Sequence, residues 1–248
     1  MRICGLQNRK NQLKLSLIIP CFNESRCLPA LLTRCQEIIG DRDIEIVIVD
    51  NGSNDDTQEV LAPLLEKYIF VTLVNVSVNK GYGHGILSGL KDASGDILAW
   101  THADLQTDPG DIVKALEFFK ESSRPELLFV KGKRYGRPLM DVVFTMGMSI
   151  FEAILMKTKM WDINAQPTVF HRSFYESWDN PPKDFSLDLF TYFMAKKQNL
   201  RIERFPVMFS DRAHGLSHWN VSFSAKFRFI KRTLQYSFLL NKRFKNDA

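Results

Sequence analysis

Asp96-Ile-Leu-Ala-Trp-Thr-His-Ala-Asp-Leu-Gln-Thr-Asp-Pro109 decides how this chain of 248 residues is read. Ile97 to Trp100 is a short apolar run that predicts a buried strand. The run leads into His102-Ala103-Asp104, and Pro109 closes the turn. A carboxylate at the C-terminal end of a buried strand sits where open α/β sheets bind ligands. Asp104 there can hold a divalent cation beside a phosphorylated ligand, or simply cap a helix that starts near Pro109.

Further strands precede this one at the spacing of alternating β and α units. Leu15 to Ile19 predicts a strand ended by Pro20, and Asn23-Glu24-Ser25 supplies helix-start chemistry. Leu28, Leu31, Leu32, Cys35, Ile38 and Ile39 then recur at helical spacing. Ile44 to Val49 predicts a second strand, closed by the turn Asp50-Asn51-Gly52-Ser53. A helix opens at Asp55-Asp56-Thr57, with Val60, Leu61, Leu64 and Leu65 as its apolar face. Val71 to Val78 predicts a third strand, followed by the loop Asn79-Lys-Gly-Tyr-Gly-His-Gly85 and a helix from Ile86 to Ala93. Ile112 to Phe119 predicts a helix and Leu127 to Lys131 a strand. Alternation of this kind argues for a mostly parallel sheet covered on both faces. The second half is less regular. It predicts a helix from Leu139 to Met156, with Phe144, Met148, Phe151 and Leu155 on one stripe, read as core. A second helix is expected over Leu187 to Lys197, and a strand over Ile202 to Phe209.

The composition is ordinary for a globular domain, 45% hydrophobic and 25% charged. No apolar run is long enough to predict a membrane-spanning helix. The first twenty residues lack a signal-peptide pattern, because Arg9, Lys10 and Lys14 interrupt them. Cys4, Cys21, Cys27 and Cys35 form no CxxC pair, so a reducing, cytoplasmic setting is expected. The positive charge is local. Residues 221–246 hold seven Lys or Arg and no acidic residue, and the rest of the chain is close to neutral. No nucleic-acid surface is announced on the domain itself.

Several residues carry candidate chemistry. Asp50, at a strand's carboxyl end, can accept hydrogen bonds from a nucleobase or ribose, or bond its own turn. Glycines before a helix can admit phosphate to backbone N–H groups, with Lys80 adding charge; a plain turn reads equally well. His102 is a softer donor than carboxylate and suits Mn²⁺ better than Mg²⁺. Arg134 follows one strand and Arg212 another, and either guanidinium can reach phosphate bidentately. Asp188, in Asp184-Phe-Ser-Leu-Asp188, is a candidate base or a helix N-terminal Asp; Asp162 is a second candidate base.

Taken together, Ile18 to Glu24, Ile46 to Thr57, Asn79 to Gly83 and Gly95 to Pro109 resemble a family 2 glycosyltransferase. The resemblance is strong from Leu15 to about Arg134. Beyond that, Arg212-x-x-Gly-x-Ser217 is similar to a phosphate-contacting loop of the polyprenyl-phosphate sugar transferases, as is Asp104-Leu105-Gln106. The resemblance implies a GT-A fold, a Rossmann-like α/β nucleotide-binding sheet, with inverting transfer from a UDP- or GDP-sugar and a Mg²⁺ or Mn²⁺ cofactor. It implies that Pro20, Asn23, Glu24, Asp50, Gly52, Ser53, Lys80, Gly81, His102 and Ala103 line the nucleotide site. Asp104, with His102, would hold the cation; Gln106, Arg134, Arg212 and Asp188 would serve catalysis. One departure stands out: His102 replaces the first Asp of the family's Asp-x-Asp element. A non-catalytic nucleotide-sugar-binding relative is the alternative.

The domain is expected over 1–220, with a basic amphipathic extension over 221–248. Phe223, Phe227, Ile230, Leu234 and Phe238 share one helical stripe, flanked by Lys226, Arg228, Lys231 and Arg232. That pattern suits a helix lying on an anionic membrane, at the inner face, where a lipid phosphate or lipid-linked glycan would be the acceptor. A terminal helix packed on the domain fits it too.

Overall fold

The computed structural model describes residues 13–212 and 223–245. Its centre is β1 (Leu15–Cys21), which pairs in parallel with β2 (Ile44–Asn51) on one edge and β4 (Ile97–Trp100) on the other. β3 (Val71–Val76) extends the parallel set beyond β2. The full order is β3-β2-β1-β4-β6-β5-β7. β6 (Thr168–His171) runs antiparallel between β4 and β5 (Leu128–Tyr135), and β7 (Arg201–Met208) pairs with β5 in parallel.

Side chains alternate across a strand, so β1 feeds two cores. Leu15, Leu17 and Ile19 pack with α1 (Leu28–Ile39) and α4 (Asp111–Glu121). Ile18 points the other way, with Val47 and Val49, onto Ile86 and Leu90 of α3 (Tyr82–Asp92). Gly89 lets α3 approach closely: a Cβ there would lie 2.6 Å from Ile18 Cγ2. The second core continues through an aromatic group, Trp100, Phe129, Phe170 and Phe190, between the sheet and α7 (Leu187–Lys197). α2 (Thr57–Lys67) and the short α6 (Arg172–Glu176) complete the sheet's flanks.

The expected elements are found, with shifted ends. β3 stops two residues early, at Val76. α3 starts at Tyr82 rather than Ile86, because Gly81, at φ +116°, turns the chain there. β5 runs four residues past Lys131, since its pairing with β7 continues to Tyr135. β6 is an addition.

α5 (Leu139–Leu155) meets the expectation of a core helix only in part: Met148, Phe151 and Leu155 are half-buried, with Leu155 against the second core, whereas Phe144 is exposed. Leu139, Met140, Val143, Phe144, Ile150 and Ile154 are exposed, and its buried residues are Ser149 and Glu152. The reason lies in its neighbour. α8 (Phe223–Lys245) packs on α5 through Ser237, whose hydroxyl donates to Glu152 Oε1 at 2.6 Å. Leu240 and Tyr236 of α8 join the second core, whereas Phe238 and Leu239 face out. The side chains of Phe223, Lys226, Phe227, Arg228 and Ile230 lie outside the described residues.

Burial without a countercharge pushes the Glu152 carboxyl up to about 7. The folded chain therefore holds a proton that the unfolded chain has released between pH 4.5 and 7. Its stability falls as pH rises through that window and levels off above it. Glu152→Gln is expected to gain stability over the parent by about 1–3 kcal/mol near pH 8 and little near pH 4.5. Urea unfolding at the two pH values checks this; an equal gain at both would contradict it.

Candidate functional site

The parallel register brings three strand ends to one edge of the sheet. Cys21 lies beside Asp50, and Ile18 beside Trp100. The loops after β1 and β2 are stitched together there. Asn23, at φ +58°, donates its backbone N–H to Ser53 Oγ at 3.1 Å and its amide to Asn54 Oδ1 at 2.8 Å. Asp50 is buried, and both its oxygens are engaged: Oδ1 accepts the Ser53 N–H at 3.0 Å and Oδ2 the Gln58 amide at 2.9 Å. The turn reading of Asp50 is thus realised, and the carboxylate still stands at the strand end. Gly52, at φ +73°, is required by contact, since a Cβ would lie 2.5 Å from Asn79 N.

The start of α3, which reads equally as a phosphate cradle or a plain turn, is packed against a neighbouring stretch of chain. His84 N–H donates to the Lys183 carbonyl at 2.8 Å. A Cβ on Gly81 or Gly83 would collide with the same segment, at 2.6 Å from Lys183 O or Asp184 O. These glycines admit a neighbouring stretch of chain, and that stretch covers the helix start. Lys80 remains exposed beside it.

Asp104 and Arg212 meet across the end of β4. The guanidinium lies 2.8 Å from Asp104 Oδ2 and 3.6 Å from Glu24 Oε1. Its Nε donates to Gln106 Oε1 at 3.4 Å. Ser210 N–H bonds the Gln106 carbonyl at 2.8 Å, which holds the end of β7 against this turn. Gly215 and Ser217, the rest of the Arg212 loop motif, lie outside the described residues. Ala103 is buried, and Pro20 and His102 are partly buried. Burial lowers the His102 pKa; Asp104 and Asp188 oppose the shift, and Arg134 and Arg212 assist it. A neutral imidazole is the form that binds a metal or accepts a hydrogen bond.

A buried polar network that the sequence reading missed lies under this turn. His102 stacks on Tyr82 with centroids 5.4 Å apart, and Tyr82 stacks on Phe185 at 4.8 Å. Below them Lys131 Nζ lies 3.3 Å from Asp188 Oδ1 and 2.6 Å from Thr168 Oγ1. Gln166 donates to the same Asp188 oxygen at 3.0 Å and lies 3.2 Å from the Tyr82 hydroxyl. Burial draws the Lys131 ammonium down to about 8, against the pull of Asp188. The one sequence signal was a lysine closing the apolar run of β5.

Arg134 is committed elsewhere than to the expected phosphate. Its backbone N–H donates to Asp162 Oδ2 and its Nε to Oδ1, both at 2.9 Å. Arg137 and Arg204 approach the same carboxylate at 3.7 and 4.0 Å. Burial opposes ionisation of Asp162, but the arginines outweigh it and hold the carboxyl below its usual range. Such a group is a poor base, contrary to the second candidacy read from the sequence.

A divalent cation has a partial donor set here. Among the described residues, no three His, Cys, Asp or Glu side chains gather as a metal cluster. Asp104 and neutral His102 supply at most two donors. That number fits Mg²⁺ or Mn²⁺, which commonly take one or two protein ligands and complete their shell with phosphate oxygens and water. Arg212 now occupies the face of Asp104 that an ion would need.

Comparison with known proteins agrees with this arrangement. A family model described as glycosyl transferase family 2 matches residues 16–177. The chain is 37% identical over 111 residues to a dolichol-phosphate mannosyltransferase of Pyrococcus furiosus, covering 45% of this chain and 31% of that one. It is 36% identical over 111 residues to an undecaprenyl-phosphate 4-deoxy-4-formamido-L-arabinose transferase of Pectobacterium atrosepticum, covering 42% and 33%. The matches thus span about a third of the length of these relatives. Among solved structures, the Pyrobaculum calidifontis mannosyltransferase PcManGT, in complex with GDP-Man and Mn²⁺, shares the fold at a TM-score of 0.64 and 21% identity over 83% of this chain and 59% of that one. Glucosyl-3-phosphoglycerate synthase of Mycobacterium tuberculosis, with Mn²⁺, UDP and glucosyl-3-phosphoglycerate, does so at 0.66 and 17%, over 92% and 80%. With the family model covering residues 16–177, a GT-A sheet and a strand-end carboxylate in place, this chain belongs to glycosyl transferase family 2.

Proposed function

We propose that this chain transfers a sugar, with inversion, from a UDP- or GDP-sugar to an acceptor held at a membrane surface. The observation that carries the reading is the junction of Asp50, Asp104, Glu24 and Arg212 at the ends of β1, β2 and β4. Ligands of open α/β sheets bind at such strand ends. The nucleoside would lie along Pro20, Asn23, Glu24, Asp50, Gly52 and Ser53, with Lys80 and Gly81 at its edge. Asp104 and His102 would hold Mg²⁺ or Mn²⁺. The bound cation would supply positive charge to the departing diphosphate.

Arg212 has two roles in this reading. Without ligand it neutralises Asp104 and Glu24. With a diphosphate present, its guanidinium turns to the phosphate oxygens, where charge builds as the sugar leaves. Gln106, bonded to it now, stays beside the donor sugar. Asp188 serves as a positioning residue here, in place of the base role its sequence position suggested. Lys131 and Gln166 hold its Oδ1, and the group is nearly fully buried. Arg134, tied to Asp162, likewise shapes the wall of the site. A non-catalytic role is not favoured, because the relatives matched are themselves named as transferases.

The membrane part of the reading rests on α5 and α8. No helix of the described residues is long and apolar enough to cross a membrane. Yet α5 exposes a run of large apolar side chains, continued by Phe238 and Leu239 of α8. Lys231 and Arg232 of α8 are exposed as well. Apolar side chains beside basic ones suit the surface of an anionic bilayer, and at the cytoplasmic face this would place the site within reach of a polyprenyl phosphate or a lipid-linked glycan.

Three outcomes are expected. Asp104→Ala abolishes both sugar transfer and donor hydrolysis, read as release of nucleoside diphosphate; unchanged turnover would sink the reading. Arg212→Ala lowers transfer by about 10²–10³-fold yet binds Mn²⁺ more tightly than the parent when no nucleotide is present. Loss of activity with unaltered Mn²⁺ affinity would contradict the exchange of Arg212 for a cation. In flotation with vesicles containing anionic lipid, the parent floats with the lipid, and the double variant Ile150→Asp, Ile154→Asp stays behind. Equal flotation of both would remove α5 from the membrane contact.

A further inference from the structure

Beneath the exposed face of α5 lies a small pocket that opens to solvent. α5, α8 and the start of α7 enclose it. Its apolar wall is Phe144, Met148, Phe185 and Leu189; Ser149, Asn164 and Glu152 add polar groups. Phe185 is shared with the site described above, since it stacks on Tyr82 and Tyr82 stacks on His102; the Arg232 guanidinium also lies over the Phe185 ring, 5.6 Å from its centroid. The pocket is therefore one aromatic stack away from the turn that carries Asp104.

Glu152 is the feature without an explanation so far. Its side chain is 1% exposed. Oε1 takes the Ser237 hydroxyl, but Oε2 is buried with no hydrogen-bond partner among the described residues. Buried polar atoms nearly always have a partner, and a carboxylate oxygen without one is costly. Among the described residues no cation is paired with it: Arg134, on the same wall, is bonded to Asp162. In the ionised form, reached above about pH 7, such an oxygen repels phosphate and accepts an O–H donor. Aromatic and aliphatic walls with one convergent polar acceptor suit the face and edge of a sugar ring.

We propose that this pocket binds an uncharged sugar ring, with a ring hydroxyl donating to Glu152 Oε2. Resting on the transferase reading, this makes the acceptor a glycan hydroxyl rather than a lipid phosphate. The exposed apolar face of α5 would then carry the lipid end of the same molecule.

Ligand-observed NMR on the full chain tests it with two probes. A panel of methyl hexopyranosides represents the sugar, and citronellyl phosphate represents a short polyprenyl phosphate. At least one glycoside is expected to bind saturably. Glu152→Leu should weaken it by about tenfold or more, as removal of a charged hydrogen-bond partner does. Glu152→Gln keeps an accepting oxygen and should retain most of the binding, which separates a lost contact from a lost fold. Citronellyl phosphate should not compete. Binding indifferent to Glu152→Leu, no saturable glycoside, or displacement by citronellyl phosphate would each overturn the proposal. Release of nucleoside diphosphate from UDP- and GDP-sugars is followed in parallel. Glycoside binding with no donor turnover would overturn the assignment as acceptor site and leave the sugar pocket standing.

Discussion

β1 is buried on both faces and bonded on both edges, and the rest of the molecule is arranged around that constraint. Its pairing with β2 runs from Leu15 to Cys21 and its pairing with β4 from Leu15 to Ile18, so the first four residues are bonded on both sides. Its residues must satisfy a core above and a core below, so Leu15, Leu17 and Ile19 serve one and Ile18 the other. The parallel pairing also fixes where the strands end. β1, β2 and β4 finish at one edge, and the loops that follow meet there. Asp50 and Asp104 owe their proximity to this register rather than to any direct bond between them.

The charges at that edge divide into two kinds. Lys131–Asp188 is buried and Arg134–Asp162 nearly so, each held by several hydrogen bonds, and they tie β5 to β6 and to the start of α7. Pairs of this kind are costly to break, since removing one partner leaves a charge stranded. Arg212–Asp104 is different. It joins a turn to a loop at the rim, with Arg212 partly exposed. Asp104 itself is buried, so the guanidinium is the half of the pair that can turn toward an arriving charge. The site thus keeps its permanent charges beneath and its exchangeable pair where a charged ligand would arrive. Glu152 belongs to neither kind, because its one partner among the described residues is a neutral hydroxyl.

Much of the fold was legible in the sequence, for a physical reason. β1, β2 and β4 are apolar runs closed by turn-forming residues, and both signals are local. Their positions, and those of α1, α3 and α4, follow from periodicity alone. β6 was not legible: Thr168-Val-Phe-His171 is too short to show a period, and only its neighbours define it. The orientation of α5 was not legible either. Helical spacing tells which residues share a face but not what covers that face: of the stripe read as core, Met148, Phe151 and Leu155 are half-buried and Phe144 is exposed, beside further apolar residues that face outward. The site followed the same division. Asp50 and Asp104 were marked by their place after strands. The partners of Asp188 and Arg134 lie 57 and 28 residues away, and no local pattern announces a Lys131 or an Asp162 as their counterpart.

Joint binding of a cation and a nucleoside diphosphate at the Asp104 turn is the property on which transfer would depend. Titration of Mn²⁺ into the protein, followed by electron paramagnetic resonance without nucleotide, with UDP and with GDP, tests this directly. Weak binding alone, tightened by about tenfold or more with one of the two diphosphates, is the expected result, because phosphate oxygens complete the shell that Asp104 and His102 only begin. Mn²⁺ affinity that is the same with and without either nucleotide would contradict it.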